Sequence, residues 1–143
     1  MKAVRKARRG AVALEFSLVL PILIAVIFGV IDFGRTIMAM DLINNVARQG
    51  ARTGALSGKT NAEITTAVDN ALSAASLPAR SGTATVLTIS VNGSTSTDAS
   101  VAVTDDQIMV KVSAPVGAVS WLPTQWFLSR TAVVQGVVAM RRE

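Results

Sequence analysis

The sequence predicts an α+β protein with a long N-terminal transmembrane helix, an extracytoplasmic stem, a second helix and a small antiparallel sheet of three or four strands. Three observations carry this. Residues 11–31 form an apolar run of 21 residues with one charge, Glu15, and at 1.5 Å per residue such a helix is about 31 Å long, one hydrocarbon thickness. Beyond it, apolar side chains recur at helical spacing in two further stretches. After Ser81-Gly82 the apolar period falls from 3.6 to 2, which is the period of a strand.

The charge distribution orients the chain. Lys2, Arg5, Lys6, Arg8 and Arg9 precede the apolar run without an acid, whereas Asp32, Arg35 and Asp41 follow it with no basic excess. The positive-inside rule then places the N-terminus in the cytoplasm and the rest outside. The net charge of +5 resides in residues 1–9, because the other nine basic groups balance nine acidic ones. A basic tail without interleaved aromatics reads as an orientation signal and anionic-lipid contact, so no nucleic acid is expected.

Cysteine and histidine are absent. That removes disulfides, thiolate metal sites and the commonest general base, and the carboxylates form no recognisable pair or nucleophile motif. The expectation is no catalytic residue, no metal, no cofactor and no small-molecule substrate. The alternative of an envelope hydrolase requires Asp98, Asp105 and Asp106 to converge in one pocket.

Taken in order, residues 1–10 are a basic leader, 11–32 the transmembrane helix, 33–58 the helical stem and 59–143 an extracytoplasmic α+β head. The apolar run is too long, and its flank too poor in small-x-small pattern, for an ordinary removable signal peptide. Pro21 removes one intrahelical hydrogen bond, which a lipid-embedded helix tolerates with a bend. In the stem, Ile37, Met38, Leu42, Ile43 and Val46 predict one apolar side, and Arg35, Asp41, Asn45 and Arg48 lie between them. Ala47, Gly50, Ala51, Gly54, Ala55 and Gly58 follow as a helical face of small residues. Such a face lets a partner approach closely; the partner is the protein's own sheet or a neighbouring subunit's helix. Gly58 is expected to end the helix.

Thr60 and Glu63 fit a capping box opening a second helix over residues 61–76, with Ile64, Val68, Leu72 and Leu77 on its apolar side and Pro78 as its stop. Leu87, Ile89 and Val91 alternate with Thr88 and Ser90 as a strand that ends at Asn92-Gly93. Asn92-Gly93-Ser94 also matches a glycosylation sequon; the turn is the preferred reading. Val101 and Val103, then Ile108, Val110, Val112 and Ala114, predict two more strands joined by a hairpin turn at Asp105-Asp106, preferred over a calcium site. Trp121, Trp126 and Phe127 either cover one end of the sheet, anchor it at the membrane interface or contact a partner. Residues 131–140 predict a buried strand in which Gly136 marks a bulge or a close helix approach, and Arg141-Arg142-Glu143 reads as a polar stop.

Glu15 does not fit a plain anchor. A carboxylate in the apolar phase costs about 2 to 3 kcal/mol at the bilayer centre and less near an interface. Two readings stand. Either the side chain snorkels, or a peptidase cuts after Gly10 and the freed α-amino group of Ala11 pairs with Glu15 of a neighbouring copy, which sets subunit register.

Lys6-Ala7-Arg8-Arg9-Gly10 followed by Ala11-Val12-Ala13-Leu14-Glu15-Phe16 and a long apolar helix resembles the class III prepilin signal. Phe33-Gly34-Arg35, the stem residues Asn45, Ala47, Arg48, Gly50, Ala51 and Arg52, and the ending Ala139-Met140-Arg141 are similar to TadE-like proteins, minor pilins or pseudopilins of the tight-adherence (Tad/Flp) pilus machinery. The resemblance implies a pilin-like fold, insertion in the bacterial inner membrane, and cleavage between Gly10 and Ala11 by a prepilin peptidase. It makes Glu15 the intersubunit carboxylate and Phe16 the motif aromatic. It implies as partners membrane lipid, the peptidase, other pilin or pseudopilin subunits and Tad inner-membrane assembly proteins. A head much longer than that of the major Flp pilin favours a minor, initiating, capping or assembly role. The alternative is an uncleaved, single-pass anchored domain that binds another component of the cell envelope.

Overall fold

The computed structural model describes residues 2–77, 85–118 and 132–143. Helix α1 runs Lys2–Ala55 and α2 runs Asn61–Ala74; strands β1 (Val86–Val91), β2 (Gln107–Pro115) and β3 (Val133–Arg141) follow. The chain divides into two compact units, residues 1–34 and 35–143. The first is helix alone. It passes through Pro21 as continuous helix, and its apolar side chains from Val12 to Ile31 are exposed. This is the one helix among the described residues long and apolar enough to cross a membrane.

In the second unit, residues 35–55 of α1 pack with α2 and an antiparallel sheet of order β1-β2-β3. The alternation read in β2 is observed in full: Ile108, Val110, Val112 and Ala114 are buried and the residues between them are not. Their partners in the core are Ile43, Val46, Ala47 and Ala51 of α1, Ile64, Val68 and Leu72 of α2, and Val134 of β3. The capping box of α2 is present, with Glu63 N–H donating to Thr60 Oγ1 at 3.3 Å and Thr60 N–H donating to Glu63 Oε2 at 3.0 Å.

The glycines fix how near the layers lie. A Cβ on Gly50 would fall 2.6 Å from Val68 Cγ2, and one on Gly54 would fall 2.9 Å from both Ile108 Cγ2 and Ile64 Cδ1. On the sheet side, a Cβ on Gly136 would lie 2.9 Å from Asn44 Cα and from the Ile43 carbonyl oxygen. Gly136 pairs in regular register with Val112, so the close approach to α1, not a bulge, accounts for it.

Four expectations are corrected. Helix α1 ends at Ala55, not at Gly58; Gly58, at φ +74°, supplies a left-handed residue in the following turn. Residues 101–103 are not a strand: Ala99–Val101 is a 3-10 turn capped by Asp98, Val101 and Val103 are exposed, and β2 pairs with β1 directly. Asp105-Asp106 therefore turns a loop rather than a two-strand hairpin. Of the apolar side expected on the stem, Ile43 and Val46 are buried while Ile37, Met38 and Leu42 are exposed. Pro78, Ser81-Gly82, Trp121, Trp126 and Phe127 lie outside the described residues.

Backbone atoms cannot move aside as a side-chain tip can, so Gly136→Ala is expected to destabilise the second unit by about 1–3 kcal/mol. Thermal unfolding of the full chain in detergent measures it as a drop of several degrees, about 4–8 °C per kcal/mol for a domain of this size. Gly117→Ala, whose Cβ meets nothing within 4 Å, is the control and should leave the transition in place.

Candidate functional site

The residues singled out in the sequence fall into two groups, one in each unit. In the first unit, Gly10 and Ala11 lie within the α1 backbone, followed at one turn's distance by Glu15 and Phe16, both with exposed side chains. Glu15 stands among exposed Val12, Leu14, Leu18 and Val19. The neighbouring polar group is locally satisfied, since Ser17 Oγ donates to the Leu14 carbonyl at 2.8 Å. An apolar sleeve with one carboxylate near its start suits a lipid or helix environment that supplies a counter-charge.

In the second unit, Ala47, Gly50, Ala51, Gly54 and Ala55 are buried and Gly58 is exposed. The small-residue face is covered by α2 and β2 of the same chain, through Ile64, Val68, Ile108 and Val110. The opposite face of the stem carries Asn45, Arg48, Gln49, Arg52, Thr53 and Leu56, which line an open groove of about 510 Å³. Arg48 and Arg52 were read only as stem residues; their one-turn spacing was the signal for a shared outward face.

The carboxylates of the head do not converge. Asp98 caps the 3-10 turn by accepting from Ser100 N–H at 2.8 Å, and Asp105 pairs with Arg141 at 2.7 Å on the surface. Asp106 accepts from Val103 N–H and from Asn92 Nδ2, each at 2.7 Å. Among the described residues no three acidic, histidine or cysteine side chains group to hold a metal. Asn92 and Gly93 take positive φ of 49° and 83° between mutually bonded Val91 and Ser94, a tight turn. The Asn92 amide is engaged on both sides, donating to Asp106 and accepting from Gln107 N–H at 2.8 Å.

One residue was misread. Arg142 is not part of a polar stop: it is 5% exposed and donates to the Ala99 carbonyl. Its own N–H donates to Asp106 O at 2.9 Å, and the next residue's N–H donates to Ala55 O at 3.1 Å. The end of β3 thereby fastens the loop after β1 to the last turn of α1. Nothing in the local pattern distinguishes Arg142 from Arg141, since both stand beyond the apolar run.

Three carboxylates carry a pH dependence. Hydrogen bonds hold Asp106 below the usual range, chiefly from Val103 N–H and Asn92; Ser100 does the same for Asp98, and Lys59 with Thr60 for Glu63. A lowered folded-state pKa contributes stability above the unfolded value that is lost as pH falls through the folded one. The thermal unfolding midpoint should therefore fall as pH drops from about the ordinary carboxylate values, near 4, downward. Asp106→Asn should flatten part of that slope while leaving pH 7 unfolding cooperative.

No curated protein and no solved structure matches the chain. Residues 10–52 match the family model described as TadE-like protein, so over its apolar helix and most of its stem the chain is similar to that family.

Proposed function

We propose that the protein is a non-catalytic minor pilin or pseudopilin that takes part in assembling a Tad (Flp-type) pilus or a related secretion apparatus. The observation that carries this is the coincidence, within residues 10–52, of the family match, a helix apolar enough to span a membrane, and the Gly10-Ala11…Glu15-Phe16 spacing. The chain inserts with its basic leader in the cytoplasm and its α+β unit outside the inner membrane. A prepilin peptidase removes residues 1–10. Gly10 is the first glycine of α1, and a glycine costs about 1 kcal/mol of helix stability relative to alanine, so the helix opens there at least cost.

Cleavage makes Ala11 an ammonium at the start of an apolar helix. Paired in low dielectric with Glu15 of a neighbouring copy, each charge offsets the desolvation of the other, and a lone copy keeps an unpaired carboxylate in lipid. Assembly is thereby favoured over dispersal. Asp98, Asp105 and Asp106 are committed to capping, a surface ion pair and loop closure, which supports a structural role for the exported unit.

Intact mass and N-terminal sequencing of the protein from its own cells should show a chain that starts at Ala11. A chain that keeps its leader, in cells that process their other prepilins, would overturn the reading and leave the anchored envelope-binding domain. Glu15→Gln should leave cleavage and membrane insertion intact. It should lower copurification with pilus components by roughly tenfold or more, since 1.4 kcal/mol is already a factor of ten.

A further inference from the structure

The exposed side chains of the stem change character along its length. Over residues 35–42 they are Arg35, Ile37, Met38, Met40, Asp41 and Leu42, whereas over residues 45–52 they are Asn45, Arg48, Gln49 and Arg52. A helix surface that faces only water does not carry four large apolar side chains together. At about 100° per residue, Met38, Met40 and Leu42 point about 100°, 300° and 140° around the axis from Ile37. The sector left between them belongs to Ala39 and Ile43, which are buried on the side where β3 approaches.

The sheet continues this apolar collar on its own side. Gly136 lies against Asn44, and Glu143 N–H donates to Ala55 O at 3.1 Å, so β3 runs alongside the stem in the direction of α1. Val133 precedes Gly136 by three residues and is exposed. Three residues of strand cover about 10 Å, which brings Val133 close to the level of the turn from Ile37 to Met40.

We infer that the collar of Ile37, Met38, Met40, Leu42 and Val133 is seated in the lipid headgroup layer, so that part of the second unit is itself a membrane-binding surface. The shape of the collar names lipid as the partner: a lipid layer surrounds a helix, whereas a protein partner covers one side of it. Helix α1 also continues without a break from the apolar run into the collar. Residues 11–42 rise about 48 Å, and at a tilt of about 20° they cover about 45 Å, the thickness of a bilayer with both headgroup layers. Arg35 and Asp41, the exposed charges within the collar, suit a layer of charged headgroups and would be costly in hydrocarbon. The polar set that begins at Asn45 then marks where water begins. This inference rests on the membrane span of the proposed function, and not on cleavage or on entry into a pilus.

The chain has no cysteine, so a single introduced thiol carries a fluorescent label to one known place. Full-length, uncleaved Met38→Cys, Val133→Cys, Gln49→Cys, Leu56→Cys and Leu23→Cys chains are labelled and reconstituted, at high dilution in lipid, into vesicles of phosphatidylethanolamine and phosphatidylglycerol. Quenching is read with lipids that carry a nitroxide near the headgroup or deep in the acyl chain, and with iodide in the water. The shallow nitroxide should quench the Met38→Cys and Val133→Cys labels about twofold or more harder than the Gln49→Cys and Leu56→Cys labels, with iodide in the opposite order. Leu56 is an exposed apolar residue outside the collar, so its label shows what the dye does by itself. Labels at the collar that respond as those at Gln49 and Leu56 do would overturn the inference. So would collar labels shielded from lipid and iodide alike, since protein then covers them. The deep nitroxide should quench the Leu23→Cys label. Where it does and the collar stays in water, the collar alone is refuted; where it does not, the span and the collar fall together.

Discussion

The structure depends on how closely one helix lies on one sheet. The approach is set where Gly136 of β3 meets the backbone of Asn44 and Ile43, and it is carried up the stem by Gly50 and Gly54 against α2 and β2. A glycine in a helix interior weakens that helix by roughly 0.5–1 kcal/mol relative to alanine. The cost is offset where removal of the side chain lets Val68, Ile108 and Ile64 fill the space and lose their water. With residues 35–55 bound in this way, the stem is the central element of the second unit rather than a spacer beneath it.

Much of this was legible because the signals were periodic. The 3.6-residue period of α2 with its capping box, the alternation of β2 and the apolar run of α1 each involve many residues that agree. The failures were at positions where one residue decides. Val101 and Val103 alternate like a strand, yet Asp98 caps a 3-10 turn over Ala99–Val101 and β2 takes β1 and β3 as its neighbours, a fact of sheet order that local pattern does not contain. Arg142 looks terminal and solvated, yet its guanidinium closes a loop through a carbonyl more than forty residues away in sequence. The helix end was placed three residues late because Gly58 serves the turn after the helix, not its cap.

The candidate site divides along the same line. The leader junction and the Glu15-Phe16 pair are a matter of spacing in an exposed apolar helix, so sequence alone displays them. The stripe of small residues is different: its spacing declares that something packs against it, but not what. Only the positions of Val68 and Ile108 show that the chain supplies its own partner. Which stem face remains for another molecule follows from that fact and from no local pattern.

A face left outward on a membrane-anchored stem works under different energetics from a soluble interface. Exposed ion pairs contribute about 0–1 kcal/mol each, too little to hold two free proteins together. Copies confined to one membrane with a common orientation have already lost much of the translational and rotational freedom that association costs. Under that confinement, weak contacts select among arrangements rather than create them. Strong apolar contacts along the outward stem face would hold neighbours indiscriminately. A polar face, on which Asn45, Arg48, Gln49 and Arg52 are exposed, leaves attraction to the apolar helix.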